Sequence, residues 1–290
     1  LPAGLALIAD HHRGPTRSMA VGIHMSGIYM GQALGGVGGW VAQEISWRTA
    51  FTGCGVIGVV YAFVLVVFLR DREKDPVTDH TTTSVPLTER AAMNWVGFIL
   101  LLFCFMLPSL PGWAVKNWLP TLLQDRFSMS QASSGMWATM TSSIAGFFGV
   151  LIGGRLSDIY SKRHLHGRTW VSASGLVLLV PALIGIGMAP SFSMVVLCTA
   201  LYGLSFGMFD TNNMPILCQV APPSFRATGY GLMNLFGIGS GAYLTPLLGK
   251  LKDHGVPLSQ GFALCAAPVI IAAVLMLLLR PASRDYGRPS

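Results

Sequence analysis

The sequence predicts an all-α protein, a polytopic bundle of membrane-spanning helices. Three observations carry that prediction. First, apolar runs of about 20 residues recur along the 290-residue chain, each long enough to cross a bilayer's hydrocarbon core. Second, only 11% of residues are charged and mean hydropathy is +0.58, where a soluble domain carries about 25% charge. Third, the 19 Lys and Arg residues gather in short loops between apolar runs, which is how membrane topology is encoded. The net charge of +7 therefore reflects topology, and no nucleic-acid partner is expected. The five cysteines, Cys54, Cys104, Cys198, Cys218 and Cys265, all lie in apolar runs without C-x-x-C spacing, which argues against a zinc site or a disulfide framework. No metal and no organic cofactor are expected, and the partners are the lipid bilayer and a small-molecule substrate.

Residues 1–9 are too short to span and read as the last turns of a helix. A polar turn, residues 10–17, leads into a Gly-rich run over 18–42, and Gln43-Glu44 and Trp47-Arg48 mark a second turn before the run over 49–69. Residues 70–92, charged and Thr-rich, read as a flexible linker between two bundles. The next run starts near Met93, meets Pro108 and Pro111, and resumes over 113–123, so a kinked or broken helix is expected. Spans then follow over 134–152, 169–189, 192–220 (with Pro215 inside), 227–248 and 261–279, and residues 281–290 form a polar tail.

Alternating the loops on two sides places 14 of the 19 cations on one side and five on the other. The cation-rich side, with the linker and the tail, is expected to be the cytoplasm. Arg17-x4-Gly22 and Arg226-x4-Gly231 form a weak internal repeat, 209 residues apart, each opening a Gly-rich helix after a Pro-containing turn. Parallel repeats of six helices build one class of transporter. On that offset the spans are helices five to twelve of twelve. Residues 1–69 belong to the first bundle and 93–280 form the second, and three helices and most of a fourth are expected to precede Leu1.

Between two of the spans lies Gly153-Gly154-Arg155-Leu156-Ser157-Asp158-Ile159-Tyr160-Ser161-Lys162-Arg163, closed by Gly167-Arg168. Asp158 sits where a helix ends and can pair with Lys162, Arg163 or Arg168. The charges alone fit a positive-inside anchor. The spacing G-R-L-S-D-x-Y-x-K-R resembles the loop motif between helices eight and nine of the major facilitator superfamily, with Ile159 and Ser161 departing from the pattern. The resemblance implies that Gly154, Arg155, Asp158, Lys162, Arg163 and Arg168 form a conformational latch. Asn117-Trp118-Leu119-Pro120-Thr121 and Ala221-Pro222-Pro223-x-x-Arg226-Ala227-Thr228-Gly229 are similar to the anion:cation symporter branch. That branch implies an organic anion such as a sugar acid as cargo, a proton as coupling ion, and a monomer in the inner cell membrane. A neutral sugar or drug carrier, as uniporter or antiporter, is the alternative on the same fold, and a sensor that binds without transporting is another. The glycines of helix five include no Gly-Pro pair, which favours symport or uniport.

Asp210 is the only acid deep inside a span. Charge inside a bilayer is costly and marks function, so Asp210 is the candidate for proton coupling or substrate binding. A structural Asp hydrogen-bonded to Asn212, Asn213 or another helix is the other reading. Lys116 either attracts an anionic substrate or snorkels to the interface; Asn117 and Trp118 line the cavity or anchor there. Asn213, Asn234, Tyr29 and Gln32 complete the substrate-binding candidates, with His24, Thr139, Thr141, Ser142 and Ser143 weaker ones. By the resemblance, helices five, seven, eight, ten and eleven line or gate the path, while six, nine and twelve face lipid. Gly203-Leu204-Ser205-Phe206-Gly207 formally matches the G-x-S-x-G nucleophile elbow. That motif needs a strand-turn-helix context, so these residues read as packing glycines and an enzyme, an intramembrane serine protease, is not expected.

Overall fold

The computed structural model describes residues 2–12, 16–68 and 93–280. The expected linker, 70–92, and the tail, 281–290, lie outside the described residues. The helices are α1 (Pro2–His11), α2 (Arg17–Val41), α3 (Trp47–Phe68), α4 (Trp95–Phe127), α5 (Gln131–Arg163), α6 (Gly167–Met188), α7 (Phe192–Asp210), α8 (Asn213–Val220), α9 (Arg226–Asp253), α10 (Leu258–Leu264) and α11 (Ala266–Leu278).

Local sequence sets several of the boundaries. Asn94, Ser130 and Ser191 cap α4, α5 and α7, each accepting from the backbone N–H three residues on, which satisfies a donor that a helix start leaves unpaired. Ser128 ends α4 in the left-handed conformation, φ 52°. Among the described residues, six helical stretches are long and apolar enough to cross a membrane, including Trp95–Phe127, Gln131–Arg163 and Phe192–Val220. The α2 and α9 helices, of 25 and 28 residues, are long enough to cross at about 1.5 Å per residue but less apolar, because both carry Gly-rich and polar faces.

The second bundle packs as a ring. The α4 helix lies against α9 and α11, α6 against α7 and α11, and α7 against α5. Its centre is a continuous apolar core that includes Leu101, Leu119, Leu176, Leu183, Ile186 and Phe209, each at most 1% exposed. The α2 helix docks along the outer length of α5, antiparallel to it. That contact joins the N-terminal segment to the second bundle.

Three sequence expectations are corrected. The helix through Pro108 and Pro111 is continuous from Trp95 to Phe127, so the expected break does not occur; packing on both sides by α9 and α11 supports it across the missing backbone donors. The expected turn at 43–48 is a π-helical turn, Ala42–Ser46, that runs straight on into α3. No α3 residue is buried, so no contact draws the chain into a turn. The span over 192–220 stands as one apolar stretch but is built from two helices, α7 and α8, instead of one. Pro215 removes the N–H that would bond the Thr211 carbonyl, and its ring crowds that carbonyl, so the chain departs from the helix at Thr211-Asn212.

Candidate functional site

The break places Asp210 at the last position of α7, half-buried, with Asn213 opening α8. The Asn213 amide donates to Asp210 Oδ1 at 3.2 Å. The Tyr29 hydroxyl, from α2, donates to Oδ2 at 3.2 Å. Asp210 thus connects the two sides of the break and also reaches the N-terminal segment.

A cavity of about 600 Å³ opens beside this carboxylate, within the ~300–1,000 Å³ range of small-molecule sites. Its walls come from α2, α4, α5, α7 and α9, with no contribution from α3, α6 or α11 among the described residues. Tyr29, Gln32, Lys116, Asn117, Asp210 and Asn234, all singled out from the sequence, line it together, with Thr139, Ser142 and Ser143 from α5. Lys116 and Asp210 are the two charged side chains of the lining. The Lys116 ammonium sits 5.1 Å above the Trp113 ring, a cation–π distance.

Other candidates lie elsewhere. Trp118 is off the cavity, its indole N–H donating to the Thr245 carbonyl at 3.1 Å. Asn213 is fully buried and reaches the cavity only through Asp210. His24 faces α1, near Gly4. Ser205 is buried inside α7 and donates back to the Leu201 carbonyl at 2.6 Å, while Gly203 and Gly207 let α7 press on the α5 backbone at Ser142 and Gly146. The nucleophile-elbow context is absent there.

Sequence reasoning missed the aromatic walls: Phe105 and Trp113 on α4, Tyr202 and Phe206 on α7, and Tyr230 on α9. The partial signal was a polar tip inside an apolar run, the Tyr hydroxyls and the Trp113 indole N–H, each of which needs a partner there but does not say where that partner lies.

At the basic-loop end, α2 closes tightly on α5. Asp158 accepts from the backbone N–H groups of Ser18 (3.1 Å) and Met19 (2.8 Å). These are orphan donors in the first turn of α2, where the helix dipole also favours an anion. Arg168, 2% exposed, lies 4.0 Å from Asp158 and donates to the Ser18 hydroxyl at 3.2 Å. Of the three cations the sequence offered Asp158, the fold brings Arg168; Lys162, Arg163 and Arg155 are solvent-exposed. A Cβ at Gly154 would lie 2.8 Å from the Ser18 carbonyl oxygen, and one at Gly22 would lie 2.6 Å from that of Val150. Only glycine admits this approach.

The profile of the Major Facilitator Superfamily matches residues 1–165 and again 101–290. The chain belongs to the major facilitator superfamily. Among relatives of this facilitator chain, the 3-(3-hydroxy-phenyl)propionate transporter of Escherichia coli strain K12 is 27% identical over 100% of this chain and 69% of its own length. The hexuronate transporter of Bacillus subtilis strain 168 is 25% identical over 94% of the chain and 69% of its length. The citrate-proton symporter of Klebsiella pneumoniae is 23% identical over 78% of the chain and 51% of its length. The facilitator chain thus spans 51–69% of the length of these three. These names agree with the anion:cation symporter resemblance read from the loop motifs. A bacterial homolog of the human lysosomal transporter Spinster, inward-facing and unoccupied, shares the fold with a TM-score of 0.64 at 18% identity, covering 95% of this chain and 73% of that one.

Proposed function

We propose that this facilitator chain belongs to a secondary carrier that moves a small organic acid across the membrane together with protons. The carrying observation is the charge pair on the cavity wall: one carboxylate, Asp210, at a helix break and one ammonium, Lys116, on the facing helix. Discontinuous helices are where transporters of this build place substrate and coupling-ion sites. Lys116 would meet the substrate carboxylate, and Asp210 would take and release the proton. The cation-rich loop side is assigned to the cytoplasm.

Within the organic acids, the walls favour a ring-bearing acid over the sugar acid expected from the resemblance. Four polar side chains of the lining already donate within the fold: Ser109 to Phe105 O, Ser142 to Ala138 O, Asn234 to Tyr230 O and Asn117 to Thr245 Oγ1. A sugar acid would compete with these bonds for the same donors, which reduces the net gain from each of its hydroxyls. The aromatic faces of Phe105, Trp113, Phe206 and Tyr230 suit a ring. The 3-(3-hydroxy-phenyl)propionate transporter among the relatives supports this class, and the hexuronate transporter keeps the sugar acids as the second reading.

The test uses the complete polypeptide containing this chain, in proteoliposomes with an imposed pH gradient. Aromatic acids, sugar acids and neutral sugars are offered in turn while proton movement is followed. Proton-driven uptake of an acid is expected in wild type. In Asp210→Asn, accumulation should be lost while exchange of labelled for unlabelled substrate persists. Uptake without proton movement would turn the reading to uniport or another ion, and equal uptake of neutral sugars would end the organic-acid reading.

A further inference from the structure

The hydrogen bond between Tyr29 and Asp210 crosses from α2, on the N-terminal side of the repeat, to α7 on the C-terminal side. It sits midway along the seam between α2 and α5, beyond the tight closure at Gly22 and Ser18. Tyr29 is 8% exposed. Its ring fills a place that only a glycine leaves open: a Cβ at Gly146 would lie 2.5 Å from both Cδ1 and Cε1 of Tyr29. The ring is therefore held on α5 while the hydroxyl points at the carboxylate on α7. Any sliding of α2 along α5 must move this hydroxyl away from Asp210.

The other groups facing Asp210 are few. Asn213 donates to the opposite oxygen. Tyr202 on α7 and Tyr230 on α9 line the same cavity as Asp210. The α5 wall offers Thr139, Ser142 and Ser143, which do not titrate in the neutral range, and α4 offers Lys116 on the same cavity. Of these, Tyr29 alone joins Asp210 to α2 by a hydrogen bond among the described residues.

We propose that Tyr29 is a positioning residue that transmits the protonation state of Asp210 to the packing of α2 on α5. The proposal rests on the reading of Asp210 as the proton site. With Asp210 ionised, Oδ2 accepts a charge-assisted bond from Tyr29, and α2 is clamped to α5 and α7. A proton entering from the cavity binds the carboxylate and cancels its charge. The bond becomes neutral, roughly half as strong, and α2 is released to move. The Tyr29 hydroxyl keeps its own proton throughout, and the Asp210 proton leaves on the other side after the movement. No heavy-atom bond forms or breaks. Because coupling is reciprocal, loosening α2 also raises the affinity of Asp210 for its proton.

The test compares wild type, Tyr29→Phe, Gly146→Ala and Asp210→Asn in the complete polypeptide, reconstituted in proteoliposomes. Tyr29→Phe keeps the ring on Gly146 and removes only the hydroxyl; Gly146→Ala keeps the hydroxyl and displaces the ring. Three readouts are taken: pH-driven accumulation, substrate exchange without net proton movement, and the α2–α5 spacing between spin labels as pH is varied. Wild type should widen as pH falls. In Tyr29→Phe and Gly146→Ala the spacing should lose its pH dependence, and accumulation should drop about tenfold, the scale of one charge-assisted hydrogen bond, and by more than exchange does. A wild-type spacing that ignores pH, or a Tyr29→Phe spacing that follows pH as wild type does, overturns the proposal and leaves Asp210 as the proton site. Normal accumulation in Asp210→Asn instead overturns the reading of Asp210 itself.

Discussion

Lys116 projects its ammonium over Trp113 from a solvent-exposed position on α4. Its charge faces the same space as Asp210 but is not bonded to it among the described residues. A substrate carboxylate there would gain a charge-assisted bond in ground and transition states alike, and such a bond contributes about 1.5–3 kcal/mol. Lys116→Gln should therefore raise the KM for an organic acid about tenfold or more, with the maximal rate nearly unchanged. Initial uptake rates against substrate concentration check this, and an unchanged KM would reduce Lys116 to an interface residue. Asp210 stood out because it is one acid inside a 29-residue apolar stretch, and the fold places it on the cavity wall. Tyr202 and Tyr230 did not, since a tyrosine in a span serves packing, anchoring or a pathway equally well until its neighbours are known. Trp118 shows the reverse case: its indole found a carbonyl on α9 rather than the cavity.

The α2 helix depends on a partner for its start. Its own first turn carries no acidic residue, and Asp158 supplies the missing acceptor from α5. The loop motif was visible as spacing, but its target was not, because the Ser18 and Met19 N–H groups lie about 140 residues away in the chain. Asp158→Asn keeps the shape and removes the charge. One of the two accepting oxygens becomes an NH2 that cannot accept, and leaving a buried donor unpaired costs about 1–3 kcal/mol, so the closed seam should become several-fold less populated. A thiol placed at Val150, which is fully buried at the seam, should then react several-fold faster with soluble reagents in a background cleared of native cysteines. An unchanged rate would mean that Arg168 and the glycine contacts hold the seam without the cap.

For the molecule as a whole, the ends of the bundle differ in charge. The Asp158, Lys162 and Arg168 end carries the motif, and the far end carries the Lys252–Asp125 ion pair at 2.7 Å. By the positive-inside rule the cation-rich motif end is expected to face the cytoplasm. Membrane-impermeant thiol reagents should thus label Lys162→Cys only in inside-out vesicles and Lys252→Cys only in right-side-out ones. The reverse pattern, Lys162→Cys labelled only in right-side-out vesicles and Lys252→Cys only in inside-out ones, would mean that the expected orientation is wrong. Both substituted positions are exposed or nearly so, so access rather than burial decides the outcome.

The sequence by itself determined the helical membrane class, the order of the spans and the one acid inside them, because apolar run length and charge placement are one-dimensional signals read against a bilayer of fixed thickness. It also placed Pro215 inside the span over 192–220, though not the consequence that the helix is interrupted directly after Asp210. The tertiary structure alone decided which faces meet. It brought Tyr29 to Asp210 across 181 residues and Ser18 to Asp158 across 140, and it turned five helices toward one cavity. These pairings follow from close approach at Gly146, Gly154 and Gly22, and close approach depends on the shapes of both helices at once, which no single stretch of sequence carries.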